Sequence, residues 1–249
     1  MEKTAISIRH SRATLVELGS SLLVHAPHAG LVVPPSVRDQ FVLDDAGLML
    51  EAKQSADLWT DVLGRAAWPA AAHVATAISR LVVDVERYPD DDAEAMARVG
   101  RGAVYTATHD GSVLRRVLRA GEREALLAAY HAPHWSALRA AASGRVLVDL
   151  HSYPRDAWPI EPNCGSDRPE IDLGTDPALT PPDWARALRM HFEGAGYSVA
   201  FDTPYAGVID AGARAAVMIE VRRDVLGDGP TSAPYRRLLD VLAEAPAPH

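Results

Sequence analysis

The stretch VLVDLHSYP, residues 146–154, decides how the chain is read. Val146, Leu147, Val148 and Leu150 form a nearly continuous apolar run, the pattern of a strand covered on both faces. A strand that only had to stop could do so with Gly or Asn. This one ends in Asp149, His151 and Ser152, with Pro154 close behind. Alternation along an extended strand puts Asp149 on the same side as His151, so the carboxylate can orient the imidazole. The alternative is a carboxylate satisfying local backbone donors.

Further runs of the same kind lie at 21–26, 72–77, 80–85, 198–201 and 215–221, and helical periodicity covers 44–67, 113–143, 181–196 and 235–244. Apolar strands alternating with helices of this length predict a three-layer α/β/α sandwich with a mixed, largely parallel sheet. One domain over 1–249 suits the length. The Pro-, Gly- and Asp-rich segment 154–182 reads as a long ordered loop, the kind that carries function.

Composition narrows the class. A formal net charge of −8 argues against a nucleic-acid partner, which wants a basic footprint. No apolar run is long enough for a membrane span, and the N-terminus lacks a signal-peptide pattern, so a cytoplasmic location is expected. The single cysteine, Cys164, leaves no disulfide framework and no Cys-rich zinc site. Glycine-rich phosphate loops and a G-x-S-x-G elbow are absent from the sequence.

Two histidines follow strand candidates, His28 in LLVHAPHAG and His151, and sites in α/β sheets gather beyond the carboxyl ends of strands. One such His is as often a capping residue as a functional one; two point to metal ligation. A catalytic zinc needs about three protein ligands and an open position. Asp57 and Asp61 in ADLWTD stand four apart, hence on one helix face, and either could be the third ligand or simply solvated. Glu220 ends the run AAVMIEVRRD, where an unpaired carboxylate is costly to bury; it is a general base or the ion-pair partner of Arg222. Arg80 and Arg87 in ISRLVVDVER suit an oxyanion or a substrate carboxylate, or salt bridges at a sheet end.

Taken in order, APHAG (26–30), ADLWTD (56–61), ISRLVVDVER (78–87), GRGAVYT (100–106), VDLHSYP (148–154), RPEIDLGTD (168–176), TPYAG (203–207) and MIEVRRD (218–224) resemble the N-formylglutamate amidohydrolase family. The resemblance implies a zinc-carboxypeptidase-like fold and zinc-dependent hydrolysis of a linear amide in a small N-formyl or other N-acyl amino acid. It makes His28, His151 and Asp57 (or Asp61) the metal ligands and Glu220 the general base. Arg80 would polarise the amide carbonyl, and Arg87 and Arg222 would bind substrate. Two departures bear on selectivity: the DLNR of better-known members is here DVER, with Glu86 replacing an amide, and VIDAGARAA follows TPYAG.

Overall fold

A computed structural model of the chain describes residues 13–161, 165 and 167–249; Cys164 lies outside the described residues. The sheet has six strands, β1 (Leu22–Ala26), β2 (Ala72–Ala75), β3 (Val146–Tyr153), β4 (Ile171–Gly174), β5 (Val199–Phe201) and β6 (Ala215–Arg222). Their spatial order is β2-β1-β3-β6-β4-β5. All neighbours are parallel except β4 and β6, which run antiparallel. The sheet is therefore mixed and largely parallel, as the apolar runs predict.

Strand alternation separates two faces. Val24, Val148, Leu150, Val217 and Ile219 point into a core shared with α2 (Thr60–Ala67), α5 (Pro182–Gly194) and α6 (Ala233–Ala243). Leu23, Leu147 and Ala216 point the other way, against α4 (Ala132–Ala142). Period-two geometry then sends His25, Asp149, His151 and Glu220 to that second face. A further apolar cluster joins α1 (Asp45–Ser55), Leu81, Val82, Val83, Val85 and Tyr105 to α3 (Glu122–Leu126), which passes through a π turn into α4.

Four stretches differ from the sequence expectation. The segment 80–85 is a series of turns, although Leu81 to Val83 and Val85 are buried as a strand's would be. Its carbonyls find another partner: Arg115 donates to Leu81 O at 2.7 Å and to Val82 O at 3.1 Å. A guanidinium thus supplies what a neighbouring strand would. The helix expected over 44–67 is broken into α1 and α2, with Trp59 in the left-handed region at φ 68°. Asp57 therefore precedes α2 and does not share a helix face with Asp61. The third helix starts at Glu122 instead of 113, after Gly121 at φ 80°. Within the loop 154–182, Ile171 and Leu173 build β4; four residues were too short a run to stand out among Pro, Gly and Asp.

The break before α2 has a purpose. Asp57 N donates to His28 O at 2.9 Å, and Thr60 Oγ1 donates to Asp57 O at 2.8 Å, which pins the His28 loop to the Asp57 turn. The loop also presses on the chain after β2. A Cβ at Gly30 would lie 2.5 Å from Thr76 O and from the carbonyl carbon of Ala77. Gly30→Ala should therefore destabilise the fold by about 1–3 kcal/mol, seen as a lower Tm, because backbone must move to admit the methyl.

Asp172 in β4 is fully buried and accepts from Thr203 N at 2.9 Å and Tyr205 N at 3.0 Å. Burial outweighs these bonds and pushes its carboxyl up to about 6. The folded state then holds a proton that the unfolded chain has released, so stability should fall as pH rises from about 4 to about 6. Chemical denaturation across that range should show the slope in the parent and a flatter profile in Asp172→Asn.

Candidate active site

Because β1, β3 and β6 are adjacent and parallel, the loop after β1 and the ends of β3 and β6 meet at one sheet edge. His151 and Glu220 are direct register partners, and Asp172 is Glu220's partner on the other side. The fold brings three of the expected residues, His28, His151 and Arg80, each within ion-pair distance of a fourth, Asp57, and sets Glu220 in register with His151. They line a cavity of about 1530 Å³, walled further by Arg101, Trp135, Trp158, Tyr205 and Arg223.

The two imidazoles each carry a carboxylate behind them. His28 Nε2 lies 2.9 Å from Asp84 Oδ1, and His151 Nε2 lies 2.9 Å from Asp149 Oδ1. Their Nδ1 atoms converge on one oxygen, Asp57 Oδ2, at 3.5 Å and 3.2 Å. His28 Nδ1 is buried and makes no hydrogen bond among the described residues. Carboxylates bonded to the far nitrogen fix ring orientation and raise ligand basicity, the usual support of a metal-binding imidazole. The donor set His, His, carboxylate also suits a divalent metal.

Asp84 is the hub of this support. It accepts from Arg80 Nε at 3.0 Å, Arg80 Nη2 at 2.7 Å and the Tyr105 hydroxyl at 2.6 Å, besides His28. Burial works to raise its carboxyl, but Arg80, then His28, hold it well below the usual range. Asp57 is likewise held low against burial by its hydrogen bond to His151 and by the neighbouring His28 imidazole. Glu220 goes the other way. Burial pushes it up, His151 opposes, and the neighbouring carboxylates Asp57, Asp172 and Glu86 add to the rise. Its Oε2 is buried without a hydrogen-bond partner among the described residues. One carboxyl poised to hold a proton thus lies near Asp57 and Asp84, which are held ionised, the division of labour that acid–base chemistry needs.

The remaining expected residues are placed differently. Arg87 lines the cavity, 3.4 Å from Glu94 and 3.8 Å from Asp84. Arg222 does not: it lies between Asp224, at 2.7 and 3.0 Å, and Glu170, at 3.9 Å. The ion pair weighed for Glu220 with Arg222 is not formed; Arg222 turns to Asp224 instead. Asp61 sits on α2, where its charge acts on Tyr235, and is not a cavity residue. Arg223 is an unforeseen member: it donates to Gln54 O at 2.6 Å and reaches Asp57 Oδ1 at 3.4 Å. Arg101, stacked 4.2 Å over Tyr105 and 5.0 Å over Trp158, and the buried His25 and His134 were equally silent in sequence. Only the tandem arginines of EVRRD and the two histidines of VHAPH offered a signal.

Asp84→Ala should lower stability by about 3–5 kcal/mol in chemical denaturation, because Arg80 and His28 lose a buried counter-charge together.

The sequence profile of the N-formylglutamate amidohydrolase family matches residues 20–226. The crystal structure of N-formylglutamate amidohydrolase from Ralstonia eutropha JMP134 superposes with a TM-score of 0.75 at 21% identity, covering 90% of this chain and 91% of that one. The gene product Atu2144 from Agrobacterium tumefaciens superposes with a TM-score of 0.70 at 20% identity, covering 93% and 90%. Among curated proteins none matches by sequence. No helix among the described residues is long and apolar enough to cross a membrane.

Proposed function

The chain belongs to the N-formylglutamate amidohydrolase family, and from that premise we propose that it is a zinc-dependent hydrolase of a linear amide, acting on an N-formyl or other small N-acyl amino acid. The observation that carries the reading is the pair of Nδ1 atoms on Asp57 Oδ2, with Asp84 and Asp149 behind the rings and Glu220 in register with His151. His28, Asp57 and His151 would hold the metal, which supplies Lewis acidity that polarises the amide carbonyl and makes water a better nucleophile near neutral pH. The unbonded, buried Nδ1 of His28 fits that role.

The other steps belong to the chain's own side chains. Glu220 takes a proton from the attacking water as the C–O bond forms. It then gives that proton to the amide nitrogen as the C–N bond breaks, leaving an acid and an amine. Its raised proton affinity serves both halves of the cycle. Arg80, on the cavity lining, holds Nη1 3.9 Å from Asp57 Oδ1 and 3.5 Å from Ser55 O, while Nε and Nη2 remain locked to Asp84. A guanidinium held so firmly needs little reorganisation to stabilise the tetrahedral oxyanion. Arg87, on the cavity wall, is the group assigned to a substrate carboxylate, with Arg223 as a second cation near Asp57.

A panel of formyl, acetyl and peptidyl amino acids, assayed with zinc-loaded protein, tests the substrate class. Glu220→Gln keeps the shape of the side chain but removes its basicity. It should retain the parent's zinc content by plasma mass spectrometry and lose about a hundredfold or more in kcat. Full turnover in this variant would overturn the role given to Glu220, and a zinc-free parent that refuses added zinc would overturn the metal centre.

A further inference from the structure

Glu86 plays no part in the reaction described above, yet its carboxylate sits among three imidazoles. Its Oε1 lies 3.5 Å from His25 Nδ1; its Oε2 lies 3.3 Å from His151 Nε2 and 3.5 Å from His28 Nε2. Charge-assisted hydrogen bonds are shorter, about 2.7–2.9 Å. Ligands around a tetrahedral ion with bonds of 2.0–2.1 Å stand about 3.3 Å apart. The 3.5 Å between His25 Nδ1 and Glu86 Oε1 thus matches a coordination shell better than a direct hydrogen bond, while the separations from Oε2 put Glu86 within reach of the His28 and His151 imidazoles as well. Glu86 Oε1 is buried and has no hydrogen-bond partner among the described residues, an expense that a cation would remove.

The second wall of this spot is built from the sheet. His25 on β1 is fully buried, and its register partner Asp149 on β3 brings Oδ1 to 2.9 Å from His25 Nδ1. His134 of α4 holds the opposite nitrogen, Nε2, at 2.8 Å, which turns Nδ1 toward the carboxylates. One ligand atom each from His25, Glu86 and Asp149 falls within 4.8 Å of the others. The nearby cations Arg80 and Arg223 are already committed to Asp84 and Asp57. Asp149 and Glu86 face His25 with no guanidinium bonded to either among the described residues.

We infer that the chain has a second divalent-cation site, formed by His25, Glu86 and Asp149, one layer behind the His28–Asp57–His151 centre. The inference builds on that centre, to which Asp149 ties it through His151 Nε2. Two carboxylates and an imidazole suit zinc or manganese. Glu86 is the residue that joins the three groups, through Oε1 toward His25. The ion would fix His151 through Asp149 and offset part of the buried negative charge.

Metal stoichiometry decides the matter. Full-length parent, stripped with chelator and titrated with zinc alone or manganese alone, should take up about two equivalents per chain by calorimetry and plasma mass spectrometry. His25→Ala and the gentler Glu86→Gln should each take up one fewer, with circular dichroism unchanged. Asp57→Asn should instead weaken the other equivalent. A parent that binds one ion, retained in both Glu86→Gln and His25→Ala, would overturn the second site and leave the first standing. Two ions retained in Glu86→Gln would also overturn it. A single ion lost in Glu86→Gln but kept in Asp57→Asn would overturn the two-ion arrangement and the ligand set proposed above together. A parent that binds none would remove both.

Discussion

The site depends on burying carboxylates next to imidazoles at a place where few other donors exist. Asp57, Asp84, Asp149 and Glu220 all lie below one-tenth exposure, Asp149 and Glu220 within strands and Asp57 and Asp84 in the irregular segments beside them. A buried carboxylate without a partner would take up a proton rather than stay charged. Here Arg80 pairs with Asp84, and the histidines pair with Asp57 and Asp149, so three of the four are held ionised. Glu220 is left without a guanidinium among the described residues and is driven the other way. The same desolvation therefore has opposite outcomes, decided by whether neighbouring cations or neighbouring carboxylates weigh more.

That arrangement shapes the loops around it. The turn that interrupts α1 and α2 is held by backbone bonds to the His28 loop, and the His28 loop is in turn pressed on residues 76 and 77 at Gly30. The turns at 80–85 keep Arg80 and Asp84 facing inward, with Arg115 bonding the carbonyls that a strand would have paired. Irregular backbone at the heart of the molecule is tolerated because each of these polar groups has a named partner. A regular strand over 80–85 would put Arg80 and Asp84 on one face but about 13 Å apart along the backbone, whereas the turns bring the Arg80 guanidinium to 2.7 Å from Asp84.

The cavity is much larger than the reaction centre. Its walls combine aromatic rings, Trp135, Trp158 and Tyr205, with the guanidinium of Arg101 and the carboxylate of Glu161. Pockets that bind small molecules commonly present apolar surface with a few convergent polar groups, and this one follows that plan with a strongly charged floor. In the function proposed above hydrolysis takes place at that floor, and the walls would choose what reaches it.

The central strands were legible in the sequence because continuous apolar runs such as 146–150 and 215–221 have few other readings, and their parallel pairing follows from the helices between them. His28, His151 and Glu220 were legible as strand-end residues for the same reason. The sequence could not say which aspartate would join them, because helical spacing treats Asp57 and Asp61 alike and the left-handed Trp59 that separates them is a tertiary choice. Arg222 and Arg223 are adjacent in sequence but reach Asp224 and Asp57 respectively, a difference settled by where β6 ends. His25, Glu86 and His134 lie far apart along the chain and acquire a joint meaning only when β1, the 80–87 turns and α4 pack together. Local pattern is a property of neighbours in sequence, so it determined the strands and their chemical ends. Charge pairing depends on distance in space, so only the folded chain decided which carboxylates stay ionised and which one is left to carry a proton.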